Sequence, residues 1–134
     1  MSNKSFSLKF KGDARNTGSM RNDIDVSFES MNEKFKLATD EGAFHGGKGT
    51  APPPLALFTA SLCGCVMTQI KAFGKKLKIE VDEIKIDASM NWNGEITDEG
   101  PYIASCEGYN LDIDIISNEN IENKVKCMGF WGFG

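Results

Sequence analysis

A chain of 134 residues, 40% of them hydrophobic, has the size of one domain, taken here as 1–134, and can bury a core of its own. Its net charge of −4, its pI near 5.0 and its mere two arginines, Arg15 and Arg21, argue against a nucleic-acid partner. Four cysteines behind a start, MSNKSFSLKFKGD, that has no hydrophobic run give the expectation of a cytoplasmic protein with reduced thiols, not a disulfide framework.

Phe6, Leu8 and Phe10 alternate with serine and lysine and predict a half-buried strand. The polar stretch from Gly12 to Asn22, which holds both arginines, reads as a long turn. Ile24, Val26 and Phe28 alternate in a second strand, and Phe35 and Leu37 mark a short third. Together these predict an antiparallel N-terminal sheet. Thr39 to Thr50, TDEGAFHGGKGT, is a glycine-rich loop whose backbone can approach closely or take positive φ values. Gly42 to Lys48 begins like a phosphate-binding loop, but Gly49 stands where its hydroxyl belongs and three prolines delay the helix. The only histidine, His45, lies in this loop, either as a solvated side chain or as a polar neighbour of a reactive site.

The stretch from Pro52 to Phe73, PPPLALFTASLCGCVMTQIKAF, carries no charge before Lys71. Pro54 suits the first turn of a helix, and Gly74 followed by Lys75 and Lys76 predicts its end. The dense apolar part, Leu55 to Met67, has 13 residues. A membrane span takes roughly 20, so a buried core helix is expected and no membrane partner. Apolar residues lie on nearly every side of this helix, more than one sheet face can cover, and a second copy of the chain is the obvious partner. At ~100° per residue Cys63 and Cys65 stand about 200° apart, so their sulfurs diverge. Neither a bond between them nor a C-x-C metal clamp is favoured. Cys65 shares a face with Ser61, Thr68 and Gln69, whereas Cys63 lies among apolar residues and reads as a small hydrophobe.

Leu77, Ile79 and Val81 alternate, followed out of phase by Ile84 to Trp92, which predicts one long strand with a bulge at Asp82-Glu83. Asn93 to Pro101 reads as a turn. Tyr102 to Ile116 reads as another long strand, with a phase slip near Glu107-Gly108 and with Cys106 packed on the face of Tyr102 and Ala104. Ser117 is placed to cap a last helix from Asn118 through Cys127. Strands, a long helix, strands and a helix make an α+β chain.

A glycine-rich loop, a proline, then P-x-x-L-F-x-A-x-L-x-x-C resembles the OsmC/Ohr family of thiol peroxidases. The motif reads here Pro54-Leu55-Ala56-Leu57-Phe58-Thr59-Ala60-Ser61-Leu62-Cys63-Gly64-Cys65, and the resemblance extends from about Phe35 to Cys127. It implies an OsmC-like fold, antiparallel sheets around a long buried central helix, in an intertwined homodimer with two active sites at the interface. It places Cys65 at the family's peroxidatic position and Cys127, 62 residues later, at that of a second, resolving cysteine. Peroxidase members carry a glutamate just after the motif's proline, which orients an arginine from an N-terminal loop onto the thiolate. Leu55 occupies that position here, and Arg15 and Arg21 are both candidates for the arginine. In these respects the chain looks closer to the OsmC-like branch than to the dedicated hydroperoxide enzymes.

A free thiol is only about 3% ionised at pH 7, and peroxide cleavage needs the thiolate. A cysteine three turns inside a helix lies beyond the reach of the N-terminal dipole, so a nearby cation is required. Arg15, Arg21, His45 and Lys48 are the candidates. The resemblance then implies reduction of organic hydroperoxides or related peroxides at Cys65, resolution by Cys127 and regeneration by an external dithiol, without a cofactor or metal. The alternative is a non-catalytic binding module that holds a small apolar ligand in the interface pocket, which Leu55 favours. A thiolate metal site of Cys63, Cys65 and His45 is a further rival.

Overall fold

Three strands organise the first part of the chain: β1 (Phe10–Asn16), β2 (Asn22–Phe28) and β3 (Glu33–Thr39), antiparallel and in that order. The computed structural model describes residues 5–96, 98 and 102–118 as two compact units, one ending at Phe58 and the other beginning at Thr59. The register sets Phe10 across from Phe28, Ala14 from Ile24, and Ile24 in turn from Leu37, so one face is apolar and the other charged. The rings of Phe10 and Phe28 stack with centroids 4.4 Å apart. The first strand was expected at Phe6 to Phe10, with a long turn from Gly12. Instead it begins at Phe10 and runs through the polar stretch. Gly12 and Ala14 are small enough to sit on the apolar face while Lys11, Asp13 and Arg15 occupy the other, so the two-residue period holds without bulky side chains to reveal it. The turn shrinks to residues 17–21. Asn16 organises it, accepting from the Gly18 N–H at 2.9 Å and donating to the Ser19 carbonyl at 2.6 Å.

The glycine loop that follows contains a short 3-10 turn, Ala43–His45, closed by left-handed Gly46. The Gly47 N–H donates to the Gly42 carbonyl at 3.0 Å. A Cβ on Gly47 would lie 1.8 Å from the Glu41 carbonyl oxygen, so the loop closes only with glycine there.

Helix α1 (Pro54–Leu77) starts where Pro54 predicts, with the Pro53 carbonyl accepting from Ala56 at 3.0 Å and from Leu57 at 3.4 Å. It does not stop at Gly74. Lys78 takes a left-handed φ of 57°, the Ile79 N–H reaches the Gly74 carbonyl at 2.9 Å, and the Lys78 N–H reaches Lys75 at 3.2 Å. This double closure is a Schellman motif. The last turn is tight at Gly74, where a Cβ would lie 3.0 Å from Val81 Cγ2 and 3.3 Å from the Ile79 carbonyl oxygen. The motif takes in Leu77 and Ile79, and Val81 follows it short of β4, so the segment that the alternation had suggested as strand is the helix end and its exit. Ile79 folds back onto the helix end and is 7% exposed, the one buried hydrophobic side chain among the described residues.

Strands β4 (Glu83–Glu95) and β5 (Ile103–Ile116) form a second antiparallel pair. The slip expected at Asp82-Glu83 is the beginning of β4, not a bulge within a longer strand, and β4 continues to Glu95 instead of turning at Asn93. The slip in β5 is a true bulge: Asn91 pairs with Gly108 and Trp92 with Cys106, leaving Glu107 extra. Ser117 donates its hydroxyl to the Glu80 carbonyl. The last helix, expected from Asn118 through Cys127, lies from residue 119 onward outside the described residues.

Among the described residues, little covers the central helix. Gly74 is its one buried residue, and Leu55, Phe58 and Phe73 are about half exposed. By length and composition α1 is long and apolar enough to cross a membrane, as the core helix of a soluble protein also can be.

Candidate functional site

Cys65 lies eleven residues beyond Pro54, about 16 Å along the axis of α1. It is exposed, Cys63 is half-buried, and both are free thiols. Continuous helix through the pair keeps the two sulfurs on divergent faces. One turn beyond Cys65, Thr68 joins Met67, Lys71 and Ile84 in lining an open cavity of about 370 Å³. The Lys71 ammonium donates to the Val81 carbonyl.

The first unit contains the most highly organised polar site. Asp40, directly after β3, is only 2% exposed. One carboxylate oxygen accepts from the Glu41 N–H at 2.9 Å. The other accepts from the Thr50 N–H at 2.9 Å and from the Thr50 hydroxyl at 2.8 Å. The Asp40 N–H in turn donates to the Pro52 carbonyl at 3.2 Å. These bonds, the Thr50 backbone N–H foremost, hold the carboxyl below its ordinary pKa although burial pushes the other way.

Arg21 is tied into the same cluster. Its Nη1 donates to the Thr50 hydroxyl at 3.0 Å and to the Thr50 carbonyl at 3.4 Å. Its Nε and Nη2 both donate to Asp23 Oδ1, at 3.1 and 2.9 Å. Arg15 lies across from Asp23 in the β1–β2 register, but Arg21 takes the carboxylate. His45 Nδ1 stands 3.4 Å from a Glu41 carboxylate oxygen, and its ring meets Phe44 edge-on. Lys48 contributes a backbone N–H to the environment of Asp40. All four candidate cations belong to the first unit and Cys65 to the second. The sequence singled out Arg21 but not Asp23, Asp40 or Thr50. The available signal was an aspartate and a threonine bracketing the glycine loop at its two ends.

Cys106 is exposed, not packed as expected. Extrusion of Glu107 sets Cys106 and Tyr109, three residues apart, on one face of β5. The Tyr109 hydroxyl donates to the Cys106 sulfur, and that bond, followed by the sulfur's charge, raises the phenol above its ordinary pKa. Cys127 lies outside the described residues. Among the described residues no three His, Cys, Asp or Glu side chains gather as a metal site, which leaves the reading of Cys63, Cys65 and His45 as ligands without support.

Three antiparallel strands, a closed glycine loop, one long cysteine-bearing helix and a bulged strand pair define an α+β class of protein. Within that class, the chain belongs to the OsmC-like family, whose profile, described as OsmC-like protein, matches residues 47–128. It is 38% identical to an OsmC-like hydroperoxide resistance protein of Jannaschia sp. CCS1, over 89% of this chain and 75% of that one, with a TM-score of 0.51. An organic hydroperoxide resistance protein of Legionella pneumophila shares the fold at 18% identity and a TM-score of 0.55, over 91% and 78% of the two chains. A Psychrobacter arcticus protein named for osmotic stress and detoxification does so at 16% identity and 0.57, over 95% and 81%. A comparison with curated protein sequences gives no match. The family connection points to a peroxide-related redox function.

Proposed function

We propose that the chain is a cysteine-based peroxidase that reduces organic hydroperoxides or related peroxides. The observation that carries this reading is the 38% identity, over 89% of the chain, to a hydroperoxide resistance protein. The Cys65 thiolate attacks the O–O bond; sulfur is oxidised to sulfenic acid, and the departing alkoxide takes up a proton and leaves as the alcohol. The Cys127 thiol then displaces water from the sulfenic acid to form a Cys65–Cys127 disulfide, which an external dithiol reduces. A cation of the N-terminal unit, in the same chain or a second copy, stabilises the thiolate. Arg21 is the best suited because its guanidinium is already held by a carboxylate and a hydroxyl. A homodimer in a reducing cytoplasm completes the reading, since the open apolar faces of α1 need a cover.

Mass spectrometry after stoichiometric organic hydroperoxide tests it. Wild type forms the Cys65–Cys127 disulfide, while Cys65→Ser and Cys127→Ser do not. Wild type that stays fully reduced ends the mechanism.

A second reading, a binding module for a small apolar ligand, draws on the cavity at Met67, Thr68, Lys71 and Ile84 and on the absence of an acidic residue from the first turn of α1. Alkylation of Cys65 by iodoacetamide, followed against pH, separates the two. A rate that tracks an unperturbed thiol favours the binding module.

A further inference from the structure

A guanidinium has five N–H donors, and Arg21 commits four of them: two to Asp23 Oδ1 and two to Thr50, through its carbonyl and its hydroxyl. Among the described residues the fifth, on Nη2, has no acceptor, and the side chain is 39% exposed. The direction of the Thr50 hydroxyl is forced. It has one proton, and the ionised Asp40 carboxylate can only accept, so the hydroxyl donates to Asp40 at 2.8 Å and turns a lone pair toward Arg21 at 3.0 Å. Asp40 is itself fixed at both ends of the glycine loop, by Glu41 and by Thr50. The first turn of α1, which begins at Pro54, carries no acidic residue that could orient an arginine.

We propose that Asp40, Thr50 and Asp23 are positioning residues that aim the Arg21 guanidinium, with one N–H free, at an anion. The chain Asp40–Thr50–Arg21 does here the orienting work that a carboxylate at the start of the helix would do, where this sequence has Leu55. Asp23 fixes one edge of the guanidinium, Thr50 fixes a second, and the remaining donor is available to the anion. The purpose of the clasp rests on the peroxidase reading, in which that anion is the Cys65 thiolate or the peroxide oxygen that develops charge. The clasp itself rests only on the geometry around Thr50.

The test uses the full-length protein and two readouts. The first is the rate at which phenylglyoxal modifies Arg21, followed by peptide mass spectrometry. The second is the single-turnover rate of reaction with cumene hydroperoxide. Thr50→Val keeps the shape and the backbone bonds but removes the hydroxyl, and Thr50→Ser restores it. In Thr50→Val, Arg21 is modified faster than in wild type, and the peroxide rate falls roughly ten-fold or more, as expected when a reacting group loses its alignment. Thr50→Ser behaves as wild type in both. Asp40→Asn follows Thr50→Val, because its amide nitrogen opposes one of the donors that the carboxylate satisfied. Equal modification rates in wild type, Thr50→Val and Asp40→Asn overturn the clasp. Faster modification with an undiminished peroxide rate overturns its positioning role. Wild type that does not react with the peroxide overturns the peroxidase reading instead, and with it the purpose assigned to the clasp, while the phenylglyoxal rates still decide the clasp itself.

Discussion

Thr50 donates its single hydroxyl proton to Asp40 at 2.8 Å, across a ten-residue loop, while its backbone N–H donates to the same carboxylate oxygen at 2.9 Å. Asp40 therefore sets the loop only while it is ionised. Its pKa in the fold lies below the ordinary 3.8, so its contribution to stability is fully present above that value and is lost as pH falls through the folded value. The expected outcome for Asp40→Asn is lower stability than wild type at neutral pH. The difference should shrink below about pH 4 and vanish in stronger acid. Urea unfolding of both proteins across an acid series reads this directly. A gap that persists unchanged into acid would show that the bonds to Asp40 do not depend on its charge.

Gly47 closes the same loop from the other side. A methyl group there meets the Glu41 carbonyl oxygen at 1.8 Å, a backbone atom that cannot swing aside. Gly47→Ala is expected to destabilise by roughly 1–3 kcal/mol or more. Gly42→Ala, which meets nothing within 4 Å, serves as the control. Thermal unfolding of the two variants should separate them clearly.

What could be read in advance divides along physical lines. The helix start at Pro54 and the bulge at Glu107 were legible because both leave local marks, a ring that fixes φ and a shift in alternation. Strand β1 was missed because Gly12 and Ala14 fill apolar positions without looking apolar. The segment Leu77, Ile79, Val81 passed for strand because a helix cap also spaces apolar residues two apart. The pairing of Asp40 with Thr50 leaves no periodic trace, since only the closed loop brings the two together. The exposure of Cys65 was not legible, because exposure depends on what covers α1.

Lys78 holds a left-handed conformation, φ 57°, in a position where glycine has no Cβ to strain. Its N–H and that of Ile79 close the helix end regardless of the side chain. Lys78→Gly is expected to stabilise by roughly 0.5–1 kcal/mol, the strain relieved exceeding the entropy that glycine adds to the unfolded chain. Denaturant midpoints of wild type and variant check the sign.

The hydrogen bond to Cys106 raises the pKa of the Tyr109 phenol. Ultraviolet titration of the tyrosines reads this shift. Cys106→Ala should lower the Tyr109 pKa and move the alkaline end of the titration to lower pH, with burial keeping part of the shift. Because the folded pKa is raised, the stability from this bond is complete below the unfolded value and is lost as pH rises through the folded one. An alkaline titration identical in wild type and Cys106→Ala would remove the bond from the account.

Phe58 is 51% exposed on α1, beside Leu55 and Leu62 within one turn of the helix. If the chain stood alone, a polar residue at so open a position would change stability by no more than about 0.5 kcal/mol. If a second copy covers the helix, Phe58→Asp places a charge in an apolar contact and splits the assembly, since a buried unpaired carboxylate is costly. The expected outcome is a dimer for wild type in sedimentation equilibrium and a concentration-dependent shift toward monomer for Phe58→Asp, with Phe58→Leu remaining dimeric. A wild type that sediments as a monomer at all concentrations removes the second copy, and the apolar faces of α1 then require a different cover.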